Sequence, residues 1–459
     1  MYKKFIFGKV EVTNQPLSPV EALAIIEKGS AVRNDAVSMN DILDIFRDVS
    51  KKWADPKYPR RVEAFGKVLK NTGLSKELIE AVFEKLPEMF SPENLKKKIE
   101  GELGDANIMD EPIEQGSTGA RLIAQPAGLV LHVASGNVFL ACIESLIDGI
   151  ITKNVNFVKM SSAERDFPII FAESIAECDR KNVLMKRLAI FWWEAGAESV
   201  ENIFKQEMNR ITFWGGYDAL ASWKKGLGVK AILVQHGPKV SFGVISNEGL
   251  IASDIKDVCE RIAFDVSIWE QKACNCPQMI FVEEKVSDAR MKEFLGALET
   301  AFKNINSTIP SANRSNDEFV EVLKARELAK YKACAANERV TVMGPDNLDW
   351  TIICDMDMRN KDFELSPLNR TLLIKRYRSP DDLIQSVKEQ AFYLQTVGYA
   401  LGEKEISGYA MALSRAGATR LCPFGIMVIP KPGTPHDGSY ALRDLTRMMS
   451  VETLANGET

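Results

Sequence analysis

Strand-like and helix-like stretches alternate along the chain from Arg121 onward, and this order constrains the fold more than any other feature. An apolar strand pattern over 128–133 precedes a helical pattern over 139–152 and a second strand pattern over 155–159. The alternation continues with helices over 167–178 and near 197–206, and with strands over 189–191 and 210–213. Strands that alternate with helices are typical of a doubly wound parallel sheet, so the predicted class is α/β.

A second alternating series begins near Val240, just after the breaker sequence Gly237-Pro238-Lys239. It contains helical patterns over 252–269, 288–303 and 380–390, and strand patterns over 279–282 and 371–375. Residues 18–100 have helical spacing, with helix starts near Pro19, Met39 and Ser75, and the polar stretch 101–119 is expected to be a linker. Because 459 residues are too many for one core, we predict two doubly wound parallel-sheet domains with a helical N-terminal region.

Charge and hydropathy argue against nucleic acid as the main partner and against a membrane span. The 58 basic and 63 acidic residues give a net charge of −5, which argues against nucleic acid as the main partner, although a local basic groove stays open. The longest apolar runs, 129–133 and 139–151, are too short or too interrupted to span a bilayer. No apolar signal-peptide core follows Met1, so we expect a cytoplasmic protein.

The cysteines and histidines indicate a reduced protein without a metal centre. Eight cysteines are spread along the chain without a C-x-x-C pair. The three histidines, at positions 132, 236 and 436, are too few to predict a histidine-based metal site.

Cys274 is the strongest candidate for chemistry. It lies in a turn between a helical run over 258–269 and the strand-like run 279–282, beside the small Ala273. A cysteine at such a junction can attack a carbonyl, and its thiolate leaves readily, which suits an enzyme that makes and breaks thioesters. Cys276 is the alternative nucleophile, and a buried structural role is the ordinary one for either residue.

The order of motifs over about 121–445 resembles the aldehyde dehydrogenase superfamily. More narrowly, it is similar to the fatty-acid (acyl-CoA) reductase family, of LuxC type. Three segments carry the likeness: residues 271–278, His236-Gly-Pro-Lys239 and His436-Asp-Gly438. This chain has Asn275-Cys276-Pro277 where the family often has Ser-Ser-Pro, so the departure lies next to the nucleophile.

The resemblance implies an aldehyde-dehydrogenase-like fold and a division of the chain. The expected parts are a helical N-terminal region over 1–110, a dinucleotide-binding domain over 111–238, a catalytic domain over 239–425, and a segment over 426–459. We expect this last segment to return to the cofactor or oligomerisation region. A homo-oligomer is expected by analogy with related proteins.

The resemblance also assigns roles near the nucleophile. Asn137 follows Gly136 in a strand-to-helix turn, where the superfamily keeps an asparagine that donates to the oxyanion; an ordinary helix N-cap is the alternative. Gln235 stands where hydrolytic aldehyde dehydrogenases carry a glutamate that activates water. An amide cannot act as that base, so the acyl-enzyme would persist. A shift of the alignment by one residue would place His236 there, and a plain strand-end glutamine is the remaining alternative.

For the cofactor, the chain lacks G-x-G-x-x-G, as this superfamily does. Lys159 resembles the lysine that meets the adenosine ribose, and Ser162 stands where NAD-preferring relatives often carry glutamate, which favours NADPH over NADH. Gly215 and Gly216 fit a turn that receives the pyrophosphate at a helix N-terminus. Lys159 as a solvated strand-end charge and the glycines as an ordinary turn are the alternatives.

Two further positions are candidates. Glu364 resembles the glutamate that holds the nicotinamide ribose in the superfamily's E-x-F-G-P segment, although Leu-Ser replaces Phe-Gly here; a surface carboxylate is the alternative. His436 is either a proton donor beside Asp437 or part of a simple turn.

Together these residues indicate a reductase that converts a fatty-acyl thioester, on CoA or on an acylated partner protein, to an aldehyde. Two alternatives stay open: a CoA-dependent or hydrolytic aldehyde dehydrogenase working on NAD(P)⁺, and a non-catalytic scaffold for an acyl-transferring partner.

Overall fold

Two compact units make up the chain. The computed structural model describes residues 2–116, 119–136, 138–335 and 340–453. The first unit comprises residues 1–72, 80–237 and 431–459, and the second comprises 73–79 and 238–430. Among the described residues, none of the helices combines the length and the apolar character needed to cross a membrane.

The N-terminal part is mainly helical, as the sequence predicts. It contains the strands β1 (Tyr2–Ile6) and β2 (Lys9–Thr13) and the helices α1 (Pro19–Ala31), α2 (Met39–Ala54), α3 (Pro59–Thr72), α4 (Lys76–Met89) and α5 (Pro92–Leu103). The predicted start after Ser18 is confirmed by a capping box: the Glu21 amide donates to Ser18 Oγ (3.3 Å), and the Ser18 amide donates to the Glu21 carboxylate (2.9 Å).

The first parallel series follows. Two strands that pair antiparallel with each other, β3 (Ile113–Glu114) and β4 (Arg121–Pro126), precede it. Its own strands are β5 (Leu129–Val133), β6 (Val155–Lys159), β7 (Leu188–Phe191), β8 (Arg210–Trp214) and β9 (Ile232–His236). Its helices are α6 (Phe139–Ile151), α7 (Phe167–Ala176), α8 (Glu198–Glu207) and α9 (Tyr217–Lys224). A seven-stranded sheet has the order β2-β1-β7-β6-β5-β8-β9, in which β5 to β9 pair in parallel. The predicted doubly wound sheet is therefore present, and β1 extends its edge antiparallel to β7.

The second unit contains the second predicted parallel sheet. Its strands are β10 (Val240–Ile245), β11 (Pro277–Glu283), β12 (Val340–Met343), β13 (Thr351–Asp355), β14 (Thr371–Tyr377), β15 (Leu394–Ala400) and β16 (Arg420–Pro423). Its helices are α10 (Asn247–Ala252), α11 (Ile255–Ser267), α12 (Asp288–Thr308), α13 (Asn316–Ala335), α14 (Pro380–Val387) and α15 (Ile406–Arg415). The order is β12-β13-β14-β11-β10-β15-β16, with β12 alone antiparallel to its neighbour among these strands.

The chain then returns to the first unit through α16 (Ala441–Asp444) and β17 (Thr446–Val451). Strand β17 pairs antiparallel with β4 in a three-stranded sheet of order β17-β4-β3. The stretch 101–119 is more than the predicted linker, because Ile113 and Glu114 pair with Leu122 and Arg121. A two-residue edge strand is too short to show alternation, which is why the polar sequence hides it.

Candidate active site

Cys274 and Cys276 differ sharply in burial. Helix α11 ends at Ser267, a 3-10 turn covers Ile268–Gln271, and β11 begins at Pro277. Between them, Cys274 is half-buried, whereas Cys276 is 1% exposed and its thiol donates to the Ile268 carbonyl (3.3 Å). Burial raises the pKa of the Cys276 thiol well above its usual range. A buried, protonated thiol is a poor nucleophile, so the geometry favours Cys274.

The backbone of the Cys274 turn is fastened to the centre of the sheet. The buried Ser241 on β10 donates its hydroxyl to the Cys274 carbonyl (2.7 Å). The same hydroxyl accepts a hydrogen bond from the Thr396 amide on β15 (3.1 Å). Ser241 therefore fixes the orientation of the peptide unit that follows Cys274.

A buried ion pair braces the segment just before this turn. Arg370 donates through Nε (2.9 Å) and Nη2 (2.6 Å) to Glu270 Oε1, and both side chains are fully buried. The Asn369 amide also donates to the Glu270 carbonyl (3.0 Å). Six residues of these two segments have left-handed backbone angles: Trp269, Glu270, Gln271, Leu368, Asn369 and Arg370. Such conformations persist only where surrounding contacts enforce them, so we call Glu270 and Arg370 the clamp of the cysteine turn.

The segment that contains Glu364 contacts the strand that follows the cysteine. The Ser366 amide donates to Gln278 Oε1 (3.2 Å), one residue into β11. Glu364 itself is exposed, and its carboxylate accepts a hydrogen bond from Nζ of the buried Lys375 (2.6 Å). The carboxylate is thus held in place by a cation and faces solvent.

In the first unit, strand order marks the place for a dinucleotide. The strands β7-β6-β5-β8-β9 have the order 3-2-1-4-5 of a dinucleotide-binding sheet, and ligands bind beyond the carboxyl ends of the strands where the order reverses, between β5 and β8. Gly215 and Gly216 follow β8, and a Cβ on Gly215 would lie 2.9 Å from the Phe213 ring. Gly136 follows β5, and Asn137 lies outside the described residues. Gly136 and Gly215 therefore each follow a strand that flanks the reversal point.

Lys159 and Ser162 lie beside this point, at the carboxyl end of β6. Lys159 Nζ is 5.4 Å from the centre of the Trp193 ring, and burial lowers the pKa of its ammonium group. Ser162 is exposed in the loop that follows. A partly desolvated lysine next to an exposed serine is an environment that can attract a phosphate.

Gln235 and His236, at the end of β9, are the two candidates for the position that a water-activating base occupies in hydrolytic relatives, and they differ in exposure. Gln235 is exposed, whereas His236 is 7% exposed and stacks on Trp214 with 4.0 Å between ring centres. An exposed side chain is the better counterpart of a residue that meets water and substrate, which favours Gln235.

His132 has a structural role. It is buried among Ser145, Asn156 and Thr212, and desolvation lowers the pKa of its ring to about 4. The other two histidines, His236 and His436, come together with Asp437, a cluster that sequence spacing does not reveal because 200 residues separate its members.

Comparison with known proteins decides the family. A family model described as "Acyl-CoA reductase (LuxC)" matches residues 35–448. The chain belongs to this family. This acyl-CoA reductase family member is an oxidoreductase that acts on acyl or aldehyde groups, and the predicted resemblance is confirmed.

Two curated relatives of this acyl-CoA reductase span nearly the whole chain. A long-chain acyl-protein thioester reductase of Photobacterium phosphoreum is 26% identical over 98% of this chain and 88% of its own. A protein of the same description from Vibrio harveyi is 24% identical over 92% of this chain and 84% of its own.

Solved structures confirm the predicted fold. Aldehyde dehydrogenase 21 from Physcomitrella patens matches with a TM-score of 0.73, 12% identity, and coverage of 98% of this chain and 97% of that one. An NADP-dependent enzyme from E. coli matches with a TM-score of 0.72, 13% identity, and coverage of 98% and 93%. At these identities the likeness establishes the aldehyde-dehydrogenase-like fold of the acyl-CoA reductase.

Proposed function

We propose that the protein reduces a fatty-acyl thioester to the aldehyde through an acyl group carried on Cys274, with NADPH as the reductant. The observation that carries this proposal is the half-buried Cys274 in a turn fastened by Ser241 and the clamp, beside a Cys276 that is locked in the core. The relatives named above act on acyl-protein thioesters and the family model names acyl-CoA. The chemistry common to both donors is a thioester carbonyl.

The first half of the reaction exchanges one thioester for another. The Cys274 thiolate attacks the acyl carbon, the bond to the carrier sulfur breaks, and the carrier leaves as a thiol after taking up a proton. Because the bond formed and the bond broken are of the same kind, the protein mainly positions the acyl group and stabilises the oxyanion. We assign the oxyanion to the Cys274 amide and to Asn137.

A bound nicotinamide supplies the hydride that converts the acyl group to the aldehyde oxidation level. The Cys274 sulfur then leaves as a thiolate, which restores the enzyme and releases the aldehyde. The strand order of the first unit and its close-packed Gly215 support the binding of a dinucleotide there. We assign Lys159 and Ser162 to the adenosine ribose and its phosphate, Gly215 and Gly216 to the pyrophosphate, and Glu364 to the nicotinamide ribose.

The assay that tests this function supplies purified protein with NADPH and fatty-acyl thioesters of both kinds, acyl-CoA and an acylated protein cysteine. Aldehyde detected by mass spectrometry, in proportion to NADPH oxidised, is the expected result. NADP⁺-dependent oxidation of aldehydes to free acids, without reduction of either thioester, would overturn the proposal.

Gln235→Glu is expected to turn the reductase into a thioester hydrolase. The new carboxylate would take a proton from water and release the acyl group from Cys274, and a positioned general base contributes about 10²–10⁴-fold. Fatty-acid release without NADPH is measured for this variant and for Gln235→Met, which has similar size and no base. Equal hydrolysis by both variants would contradict the assignment of Gln235 to the position of the water-activating base.

Ser162→Glu is expected to weaken NADPH use by about tenfold or more and to leave NADH use nearly unchanged, because the carboxylate would repel the 2′-phosphate. Steady-state kcat/KM with each cofactor is the measurement. Ser307→Glu, on the exposed C-terminal turn of α12, adds the same charge elsewhere and serves as the control. An equal loss with both cofactors would contradict the assignment of Ser162.

A further inference from the structure

Three side chains of types that can bind a metal meet in the first unit, outside the residues assigned to acyl transfer. His236 ends β9, and His436 and Asp437 lie in the loop before α16. Each offers one donor atom, and the three donor atoms lie within 4.8 Å of one another. The scarcity of histidine predicts no metal site, yet two of the three histidines share one carboxylate.

His236 and Asp437 form a long hydrogen bond, and the spacing of the donor atoms also fits a metal ion. Asp437 Oδ2 is 3.3 Å from His236 Nδ1 and 3.6 Å from His436 Nε2. A charge-assisted hydrogen bond between such groups is about 2.7–2.9 Å long. Donor atoms that each lie about 2.0–2.1 Å from a tetrahedral zinc ion are about 3.3–3.4 Å apart. The two contacts are therefore close to the edges of a zinc coordination tetrahedron.

Two of the three side chains are almost fully buried, and the third, His436, is 26% exposed. The side chains of His236 and Asp437 are each 6% exposed. Nε2 of His436 is buried and makes no hydrogen bond among the described residues. This nitrogen lies 3.6 Å from Asp437 Oδ2, too far for a hydrogen bond. Buried polar atoms in proteins normally have a hydrogen-bond partner or a ligand. A cation between the three donors would supply it.

The loop that carries two of the donors is held in one shape. Asp437 has a left-handed backbone (φ 52°), and His436 and Ser439 exchange two backbone hydrogen bonds of 2.8 and 2.9 Å across it. After the turn, the Leu442 amide donates to the buried Glu102 carboxylate (2.7 Å). A strained turn anchored in this way presents two side chains to one point at little further entropic cost.

We propose that His236, His436 and Asp437 bind one divalent transition-metal ion of zinc type. Two neutral imidazoles and one carboxylate are the ligand set that zinc accepts, and three protein ligands leave a fourth position for water. The ion would fasten the returning loop, which comes from the C-terminal part of the chain, to the edge strand β9. Trp214, stacked on His236, would fix the orientation of that ligand.

The test uses the full-length protein, freed of metal with a chelator and then titrated with Zn²⁺ and Co²⁺. We expect one equivalent to bind, with the visible absorption of tetrahedral Co²⁺ and a rise of several degrees in Tm. His436→Gln and Asp437→Asn should weaken binding by about 10- to 100-fold, and Asp257→Asn, exposed on α11, should not.

His436→Cys distinguishes loss of a ligand from damage to the loop. Cysteine binds zinc well, so this variant should keep one equivalent and add a sulfur-to-cobalt charge-transfer band. Absence of binding to the unsubstituted protein would leave the cluster as a plain His–Asp contact and overturn the proposal. Equal affinity in His436→Gln and the unsubstituted protein would overturn it as well. Neither result bears on acyl transfer by Cys274.

Discussion

Cys274→Ala abolishes aldehyde formation in our account, with a loss on the order of 10³-fold or more. Without the sulfur there is no acyl-enzyme, whereas NADPH binding should persist because Cys274 is not among the residues assigned to the cofactor. NADPH oxidation with acyl-CoA measures the loss, and NADPH binding followed by fluorescence should be unchanged.

Two other cysteines are matched controls for this substitution. Cys334 is exposed on α13, so Cys334→Ala should retain full activity. Cys276→Ala removes a buried thiol and is expected to lower stability, yet the acyl group should still form on Cys274. Retained turnover in Cys274→Ala, combined with loss in Cys276→Ala, would move the nucleophile to the buried residue.

Arg370→Met is expected to lower the free energy of unfolding by about 3–5 kcal/mol, because it leaves the Glu270 carboxylate buried without its cation. Burial also deprives the charge of solvent screening, since both side chains are fully inaccessible. The second oxygen of Glu270 makes no hydrogen bond within the described residues, and Arg370 donates two hydrogen bonds to the first. Urea denaturation followed by intrinsic fluorescence measures the change.

A surface ion pair provides the control for Arg370→Met. Arg359 and Asp357 also form an ion pair, but the arginine side chain is 84% exposed, so Arg359→Met should change stability by about 1 kcal/mol or less. The double variant Glu270→Gln with Arg370→Met removes both charges and should recover part of the loss. A loss in Arg370→Met no larger than in Arg359→Met would show that the clamp does not stabilise the cysteine turn.

The parallel sheets could be predicted because the strands buried on both faces are short apolar runs separated by amphipathic helices. Residues 129–133 are all buried, and they produce that signal. Helix α13 gives a weaker signal, because Phe319, Leu323 and Tyr331 are exposed apolar residues that blur the contrast between its faces. The N-terminal strand β1 is apparent locally, but its pairing with β7 joins residues more than 180 positions apart.

The parts of the candidate site that are formed by consecutive residues could be predicted from the sequence, whereas contacts between distant residues could not. The turn around Cys274 is a continuous segment with a recognisable order of residues. The clamp joins Glu270 to Arg370, which are 100 positions apart, and the cluster of His236, His436 and Asp437 brings together residues up to 201 positions apart. The local patterns of a single sequence do not predict such long-range contacts, because these contacts depend on which strands become neighbours in the sheet. The choice between Cys274 and Cys276 likewise depends on burial, which the two-residue spacing does not fix.

The most direct measurement mixes the protein with a fatty-acyl thioester in the absence of NADPH and determines the mass of the intact chain and of its peptides. Our account predicts one acyl group, located on the peptide that contains Cys274, which disappears on addition of NADPH as one equivalent of aldehyde is formed. Aldehyde formation without any acylated peptide, or an acyl group on a different residue that is consumed at the rate of turnover, would contradict it.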